Sequence, residues 1–137
     1  MIELQVFKTG FSDYDLNEFQ ATISTLIEDE KKNEGELNLV FCSDDYLLEI
    51  NKKHLNHDYY TDIITFDYSI GNKISGDLLI SVDRVKENAK NFSVSFSQEL
   101  NRVVIHGVLH LCGYKDKTED EKKQMRNLEN KYLKSIF

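Results

Sequence analysis

The sequence predicts an α+β fold in which a small mixed four-stranded β-sheet packs with about five α-helices. Apolar residues recur with strand and helix periods in the order β, α, β, α, β, β, α, α, α. The early alternation of strands and helices, with two adjacent strands in the middle that favour a hairpin, predicts an α+β sandwich around a small mixed sheet. A length of 137 residues is typical of one domain, so we expect a single domain over residues 1–137.

The first strand and the first helix follow from the spacing of apolar residues. Ile2, Leu4 and Val6 alternate with polar residues, which predicts a strand with one buried face. Helical spacing begins at Leu16 and continues through Phe19, Ile23, Leu26 and Ile27. A polar stretch over 31–35 ends this pattern, and Gly35 predicts a chain reversal.

A strand, a capped helix and a hairpin are predicted next. Leu37–Cys42 is short and mostly apolar, which predicts a strand, and Ser43 is a favoured N-cap for the helix that follows it. Residues Thr61–Tyr68 and Asp77–Ser81 have strand composition. The Gly71-Asn72 pair between them predicts the turn of a hairpin.

Three helices complete the predicted fold, and each has a polar residue suited to its start. Ser81 caps the first, Ser95-x-x-Gln98 is a capping box for the second, and Thr118-x-x-Glu121 is a capping box for the third. Gly113 ends the second helix. Residues expected to face the core are Phe96, Leu100, Val103, Val104, Val108 and Leu111, followed by Met125, Leu128, Tyr132 and Leu133.

Charge and composition limit the classes of function. The net charge is −7, so a surface that wraps nucleic acid on all sides is excluded, and any polyanion must bind at a local patch or through a metal. No apolar run is long enough to cross a bilayer, and Met1–Phe7 lacks the features of a signal peptide. Cys42 and Cys112 are expected to be reduced core thiols. We therefore expect a cytoplasmic protein without a membrane partner.

The segment from His106 to Asp116 carries the clearest chemical signal. His106 and His110 are four residues apart on a predicted helix, so both imidazoles leave the same face and can chelate one Zn²⁺. Gly113 breaks the helix and lets the chain return, which brings Asp116 toward the same point. The pattern His-x-x-x-His-x-x-Gly-x-x-Asp has the spacing of the extended zincin-type zinc motif, with a carboxylate in place of the third histidine.

A site with three protein ligands leaves one position for water, which is typical of catalytic zinc. His106, His110 and Asp116 would then hold a catalytic metal-bound water. Either this water or an activated ribose hydroxyl would attack a phosphodiester, and the sequence leaves both alternatives open. Gly107 stands where zinc peptidases of the His-Glu-x-x-His type carry their glutamate base, which argues against a peptidase.

These residues resemble the signature of the YbeY family of bacterial endoribonucleases, which are ribosomal RNA maturation factors. The matching residues are His106, Gly107, Leu109, His110, Leu111, Gly113 and Tyr114. The segments Thr61–Phe66 and Gly76–Ser81 are similar to the family's strands, Ile50-Asn51 to its Leu-Asn pair, and Met125 and Glu129 to its closing helix. The resemblance is close over residues 50–130 and holds only in pattern over the first 45.

The resemblance implies a single-strand-specific, zinc-dependent endoribonuclease that matures the 3′ end of the small-subunit ribosomal RNA and acts in ribosome quality control. Its partners would be ribosomal RNA and the small ribosomal subunit or its proteins. One Zn²⁺ per chain is expected, with other divalent transition metals as alternatives. The alternative function is a non-catalytic ribosome-assembly factor with a structural metal site, which the net charge of −7 favours.

Two positions depart from the family pattern. The family's Asp-His pair after the tyrosine is Lys115-Asp116 here, so Asp116 either takes the third-ligand position or plays the family's non-ligand aspartate. The family's arginine aligns with Leu55, and its replacement could be Lys52, Lys53, Arg102 or Lys115. Candidate RNA-binding or cleft-wall residues are Thr61, Asp62, Arg102 and Lys115, whereas His54 and His57 are expected at the surface.

Overall fold

The computed structural model describes residues 1–7 and 16–136. The elements in chain order are β1 (Ile2–Phe7), α1 (Leu16–Asp29), β2 (Asn33–Cys42), α2 (Asp44–Leu55), β3 (Ile63–Asp67), β4 (Lys73–Ser81), α3 (Val82–Asn91), α4 (Phe96–Leu111) and α5 (Glu119–Lys134). The α+β class and the predicted order of elements are confirmed.

The four strands form one mixed sheet in the order β1-β2-β4-β3. β1 pairs with β2 and β2 with β4 in parallel, whereas β3 pairs with β4 in antiparallel register from Ile63↔Ile80 to Asp67↔Gly76. The predicted hairpin is therefore confirmed, and Gly71 at its turn has a φ of 59°, which suits glycine. This order leaves β3 at one edge of the sheet.

Helices cover both faces of the sheet because successive strand residues point to opposite sides. The main core lies on one face, where α1, α3, α4 and α5 pack on Leu39, Phe41, Leu78 and Ile80. The other face carries a smaller cluster in which Leu47 of α2 contacts Ile64 and Leu79. α4 belongs to the main core, and ten of its residues are buried.

The predicted N-cap residues are confirmed, although at α4 only the Ser95 half of the predicted Ser95-x-x-Gln98 capping box is seen. Ser43, Ser81 and Ser95 each accept a hydrogen bond from a backbone N–H three residues later. Thr118 and Glu121 form the complete reciprocal capping box at the start of α5. Because each cap satisfies a backbone donor that the helix itself leaves free, the four helix starts are set by the sequence.

Three details of the first half differ from prediction. Gly35 does not reverse the chain: it lies within β2, where a Cβ would clash with Ser75 Oγ, and the turn comes earlier, at Lys31 with a φ of 59°. Val6 is 48% exposed because β1 is an edge strand. β4 begins at Lys73, earlier than residue 77. The side chain of Leu16 lies outside the described residues.

Both cysteines are free, as predicted. Burial raises the pKa of Cys42 to about 12 and that of Cys112 to about 11, so both thiols stay protonated near neutral pH. Within residues 1–7 and 16–136, no helix has the length and apolar character needed to span a membrane.

Gly76 gives a test of how tightly α4 packs on the sheet. A Cβ at this position would lie 2.5 Å from the Phe66 carbonyl oxygen and 2.9 Å from Leu111 Cδ2. Because backbone cannot move aside cheaply, we expect Gly76→Ala to lower the free energy of unfolding by about 1–3 kcal/mol. Urea denaturation measures this change, with Lys86→Ala on the exposed face of α3 as the control. Equal unfolding midpoints for Gly76→Ala and the unchanged protein would contradict the expectation.

Candidate metal centre

Helix α4 presents His106 and His110 beside its apolar face. The helix is fixed by its Ser95 cap and by buried residues such as Leu100, Val104 and Val108. His106 and His110 are only half-buried, with side chains 25% and 26% exposed. Since other residues fill the core contacts of α4, the two histidines are available for chemistry.

The loop after α4 brings Asp116 back to the histidines. Gly113 has a φ of 107°, a conformation that suits glycine, and the Tyr114 N–H donates to the Leu109 carbonyl at 3.1 Å. The Tyr114 hydroxyl donates to Glu30 Oε1 at 2.5 Å, which ties the loop to the end of α1. These contacts fix the direction of the loop at Asp116.

Three side-chain atoms meet at one point. His106 Nε2 and His110 Nε2 are 3.0 Å apart, and each lies 3.3 Å from Asp116 Oδ2. Among the described residues, this is the one group of His, Cys, Asp or Glu side chains whose possible ligand atoms lie within 4.8 Å of one another. The structure therefore brings together the three residues predicted from the spacing.

The other ring nitrogens of both histidines are already engaged. His106 Nδ1 lies 2.7 Å from Glu129 Oε2, and His110 Nδ1 lies 2.9 Å from the Tyr114 carbonyl oxygen. A carbonyl oxygen only accepts, so His110 Nδ1 is the donor, and the Glu129 carboxylate assigns the same role to His106 Nδ1. In the neutral rings, both Nε2 lone pairs then face the Asp116 oxygen, so three acceptors converge.

This convergence fits a metal ion. For Zn–N bonds of 2.0–2.1 Å, two ligand atoms of a tetrahedral site are about 3.3 Å apart. The three separations here are 3.0, 3.3 and 3.3 Å, close to that ideal. Two imidazoles and one carboxylate are also ordinary ligands of divalent transition metals. The group could therefore hold a metal ion.

Glu129 is a buried carboxylate that sequence reasoning assigned only to the closing helix. It is 4% exposed, and its Oε1 pairs with Arg102 at 3.2 Å and with Arg126 at 3.4 Å. Its position between Met125 and Tyr132 on the apolar stripe of α5 is a signal that could have identified it. A buried charge in such a stripe needs a partner, and His106 is one of them.

Charges around the site shift two pKa values. Burial lowers the pKa of His106, but the hydrogen bond and charge of Glu129, with Asp116 and Asp62, raise it above its ordinary value overall. Burial raises the pKa of Asp62, and the positive charge that His106 can carry opposes this effect. Asp62 is therefore a carboxyl group with a raised proton affinity beside the candidate ligand His106.

The candidate RNA-binding or cleft-wall residues fall in different places. Asp62 and Arg102 line the same cavity as His106. Thr61 donates from its hydroxyl to the Ile63 carbonyl at 3.4 Å, a contact at the start of β3, and Lys115 is exposed on the loop. Leu55, at the family's arginine position, is 40% exposed at the end of α2. His54 and His57 are exposed, as predicted.

Arg102, one possible replacement for the family's arginine, is not a free cation. Its Nε lies 3.5 Å from Glu99 Oε1 and its guanidinium pairs with Glu129, so two buried carboxylates neutralise it. The side chain is 16% exposed. Arg102 thus stabilises the buried acids behind His106, which leaves little of its charge for an anion in solvent.

Gly107 has a packing role. A Cβ there would lie 2.6 Å from Leu78 Cδ2 and 2.7 Å from Ile63 Cδ1, so position 107 faces the sheet. A glutamate at this position would enter the core. The residue after the first histidine therefore cannot supply the general base of a zinc peptidase in this packing.

Comparisons with known proteins point to one family. The family model described as endoribonuclease YbeY matches residues 6–137. The endoribonuclease YbeY of Flavobacterium johnsoniae is 52% identical over 127 residues, covering 93% of this chain and 91% of the relative. That of Flavobacterium psychrophilum is 56% identical over 112 residues, covering 82% and 80%.

A solved structure shows the same fold. The solution structure of a Thermotoga maritima protein superimposes with a TM-score of 0.72 at 28% sequence identity, covering 99% of this chain and 89% of that one. With the family match over residues 6–137 and relatives about half identical, the chain belongs to the YbeY family.

Proposed function

We propose that this protein is a metal-dependent endoribonuclease that cleaves single-stranded RNA during ribosomal RNA processing. The observation that carries the proposal is the convergence of His106 Nε2, His110 Nε2 and Asp116 Oδ2, three acceptors within 3.3 Å of one another. Relatives that are about half identical over most of the chain bear the name endoribonuclease YbeY, which supports RNA as the substrate.

Zn²⁺ is the ion that we assign to the site, one per chain, held by His106, His110 and Asp116. Zinc accepts this mixture of imidazole and carboxylate ligands, and other divalent transition metals share the preference. Bound there, it would supply a Lewis acid that polarises water and a phosphoryl oxygen.

The residues around the ligands set orientation and proton movement. Glu129 and the Tyr114 carbonyl hold Nδ1–H of His106 and of His110, which turns both Nε2 atoms inward. The Asp62 carboxyl lines the cavity beside His106, and burial raises its pKa. We assign Asp62 the exchange of a proton with the substrate, a role left open by the sequence.

Membership of the family supports a proposal about the biological setting. We propose maturation of the 3′ end of the small-subunit ribosomal RNA and ribosome quality control in the cytoplasm, with the small ribosomal subunit or its proteins as partners. The net charge of −7 and the leucine at position 55 also support a non-catalytic assembly factor with a structural metal as the alternative. A cleavage assay separates the two.

The first test compares metal-stripped and zinc-restored protein on a single-stranded RNA. We expect stripping to abolish cleavage and zinc to restore it. His110→Ala should bind less metal by elemental analysis and should not regain cleavage, because one of two imidazole ligands is gone. Its fold should persist, since the apolar face of α4 is unchanged. Full metal occupancy in His110→Ala would refute the ligand assignment, and metal binding without cleavage in the unchanged protein would favour the assembly factor.

Glu129→Gln tests whether the buried carboxylate orients His106. Loss of its charge weakens the 2.7 Å contact to Nδ1, so we expect zinc affinity to fall about 10–100-fold. Competition with a chromophoric chelator measures this affinity. The matched control is Glu119→Gln, because Glu119 lies on the same helix with its side chain 95% exposed. Equal affinities for Glu129→Gln and Glu119→Gln would show that Glu129 does not support the site.

Asp116 can be tested as the third ligand by removal and replacement. Asp116→Ala should lose more zinc affinity than the about 10–100-fold cost of losing a supporting hydrogen bond. Asp116→His should recover binding, because the chain then has the spacing of a three-histidine zinc motif. Asp120→Ala, at an exposed position on α5, is the control. If Asp116→Ala binds zinc as tightly as Asp120→Ala, Asp116 is not a ligand.

A further inference from the structure

A cavity of about 200 Å³ adjoins the candidate metal centre between α3, α4 and α5. His106 and Glu129 line it on the side of the metal ligands, and Asp62 lines it at the start of β3. Phe92 and Arg126 also contribute to its wall. A second, adjoining cavity of about 230 Å³ shares Phe92 and Arg126, so the space continues past these two residues.

The charges in this cavity largely cancel. Arg102 pairs with Glu99 and Glu129, and Arg126 pairs with Glu129. With Asp62, the wall carries three carboxylates against two guanidinium groups. The wall therefore offers no excess of positive charge that would attract a phosphate, so the cavity suits a neutral group that can form hydrogen bonds.

Phe92 gives the cavity a flat apolar surface. Its side chain is 58% exposed, and no ring contact to it is seen within residues 1–7 and 16–136. Its backbone is held at the end of α3, where its N–H donates to the Asn88 carbonyl at 2.9 Å. The ring is therefore presented from a fixed backbone position.

Glu99 adds to the same wall a carboxylate oxygen that accepts no hydrogen bond within the described part of the chain. It is 2% exposed, and its Oε1 accepts no hydrogen bond from any described residue, although Arg102 Nε lies 3.5 Å away. Burial raises the pKa of Glu99. A buried acceptor without a hydrogen bond is costly, and a ligand with an N–H group on a flat ring would satisfy it.

We propose that this cavity binds one nucleobase of a single-stranded RNA, stacked on Phe92, while the adjacent phosphate lies at the metal centre. The proposal rests on the proposed function, and it adds a specific subsite to it. A nucleobase is flat, neutral and bears N–H donors, which matches the ring, the balanced charge and the Glu99 acceptor. Stacking also provides affinity that does not depend on phosphate contacts, which an acidic chain cannot make in large number.

The absence of tryptophan from the sequence makes a direct optical test available. Phe92→Trp keeps an aromatic ring at the cavity and introduces a single tryptophan. We expect a short single-stranded RNA to quench its fluorescence immediately after mixing. An abasic ribose-phosphate strand of equal length should cause no quenching, because it has phosphates without bases. Tyr68→Trp is the matched control, since Tyr68 is 59% exposed and does not line the cavity.

Affinity provides the second measurement. Phe92→Ala should weaken RNA binding at least about fivefold, the lower range for one stacked base, whereas Tyr68→Ala should not.

Equal quenching by the abasic strand, equal quenching of Tyr68→Trp, or unchanged affinity of Phe92→Ala would each overturn the subsite. Cleavage by the zinc-loaded unchanged protein is measured in parallel. If the unchanged protein cleaves RNA but Phe92→Trp is not quenched, only the subsite is refuted. If Phe92→Trp is quenched but the unchanged protein does not cleave RNA, the nuclease is refuted and the base-binding site remains.

Discussion

The arrangement of the candidate metal centre depends on the negative charge of Glu129, which is buried behind it. Glu129 is 4% exposed, and an ion in such a place is stable only if neighbouring groups compensate for its lost hydration. Arg102 takes Oε1 at 3.2 Å and His106 takes Oε2 at 2.7 Å. The same contact that stabilises the acid therefore commits His106 Nδ1 as a donor and leaves Nε2 for the ligand position. The contact between His106 and Glu129 therefore both joins α4 to α5 and orients the His106 ring.

A backbone carbonyl, rather than a carboxylate, orients the ring of His110. Its Nδ1 donates to the carbonyl of Tyr114, whose hydroxyl is held by Glu30 at the end of α1. Tyr132 of α5 also donates to Glu30. The loop that carries Asp116 is thus attached to two helices, α1 and α5, in addition to α4. The geometry of the three acceptors depends on contacts that reach from residue 30 to residue 132.

Local signals in the sequence were sufficient for the order of the elements and for the grouping of the three candidate ligand residues. Caps such as Ser43 and Thr118 act within a few residues, and the spacing of His106 and His110 is a property of one helix, so both can be predicted without the fold. Gly35 was misassigned because its need for glycine comes from Ser75 on a neighbouring strand. The shared cavity position of Glu129 and Phe92 could not be predicted for the same reason, because it arises only when α3, α4 and α5 come together.

An acidic protein can bind a polyanionic RNA if the phosphate and the base of a nucleotide contact different surfaces. Opposite charge is concentrated at one point, where a metal held by two neutral imidazoles and one carboxylate would leave a local positive charge. Beside it, Arg102 and Arg126 are paired with acids, so the cavity is close to neutral. With net charge −7, a broad basic surface would not be needed if phosphate bound at such an ion and a base stacked on Phe92, as proposed above. Such a division of the substrate would also be compatible with a leucine at position 55, where the resemblance to the family implies an arginine.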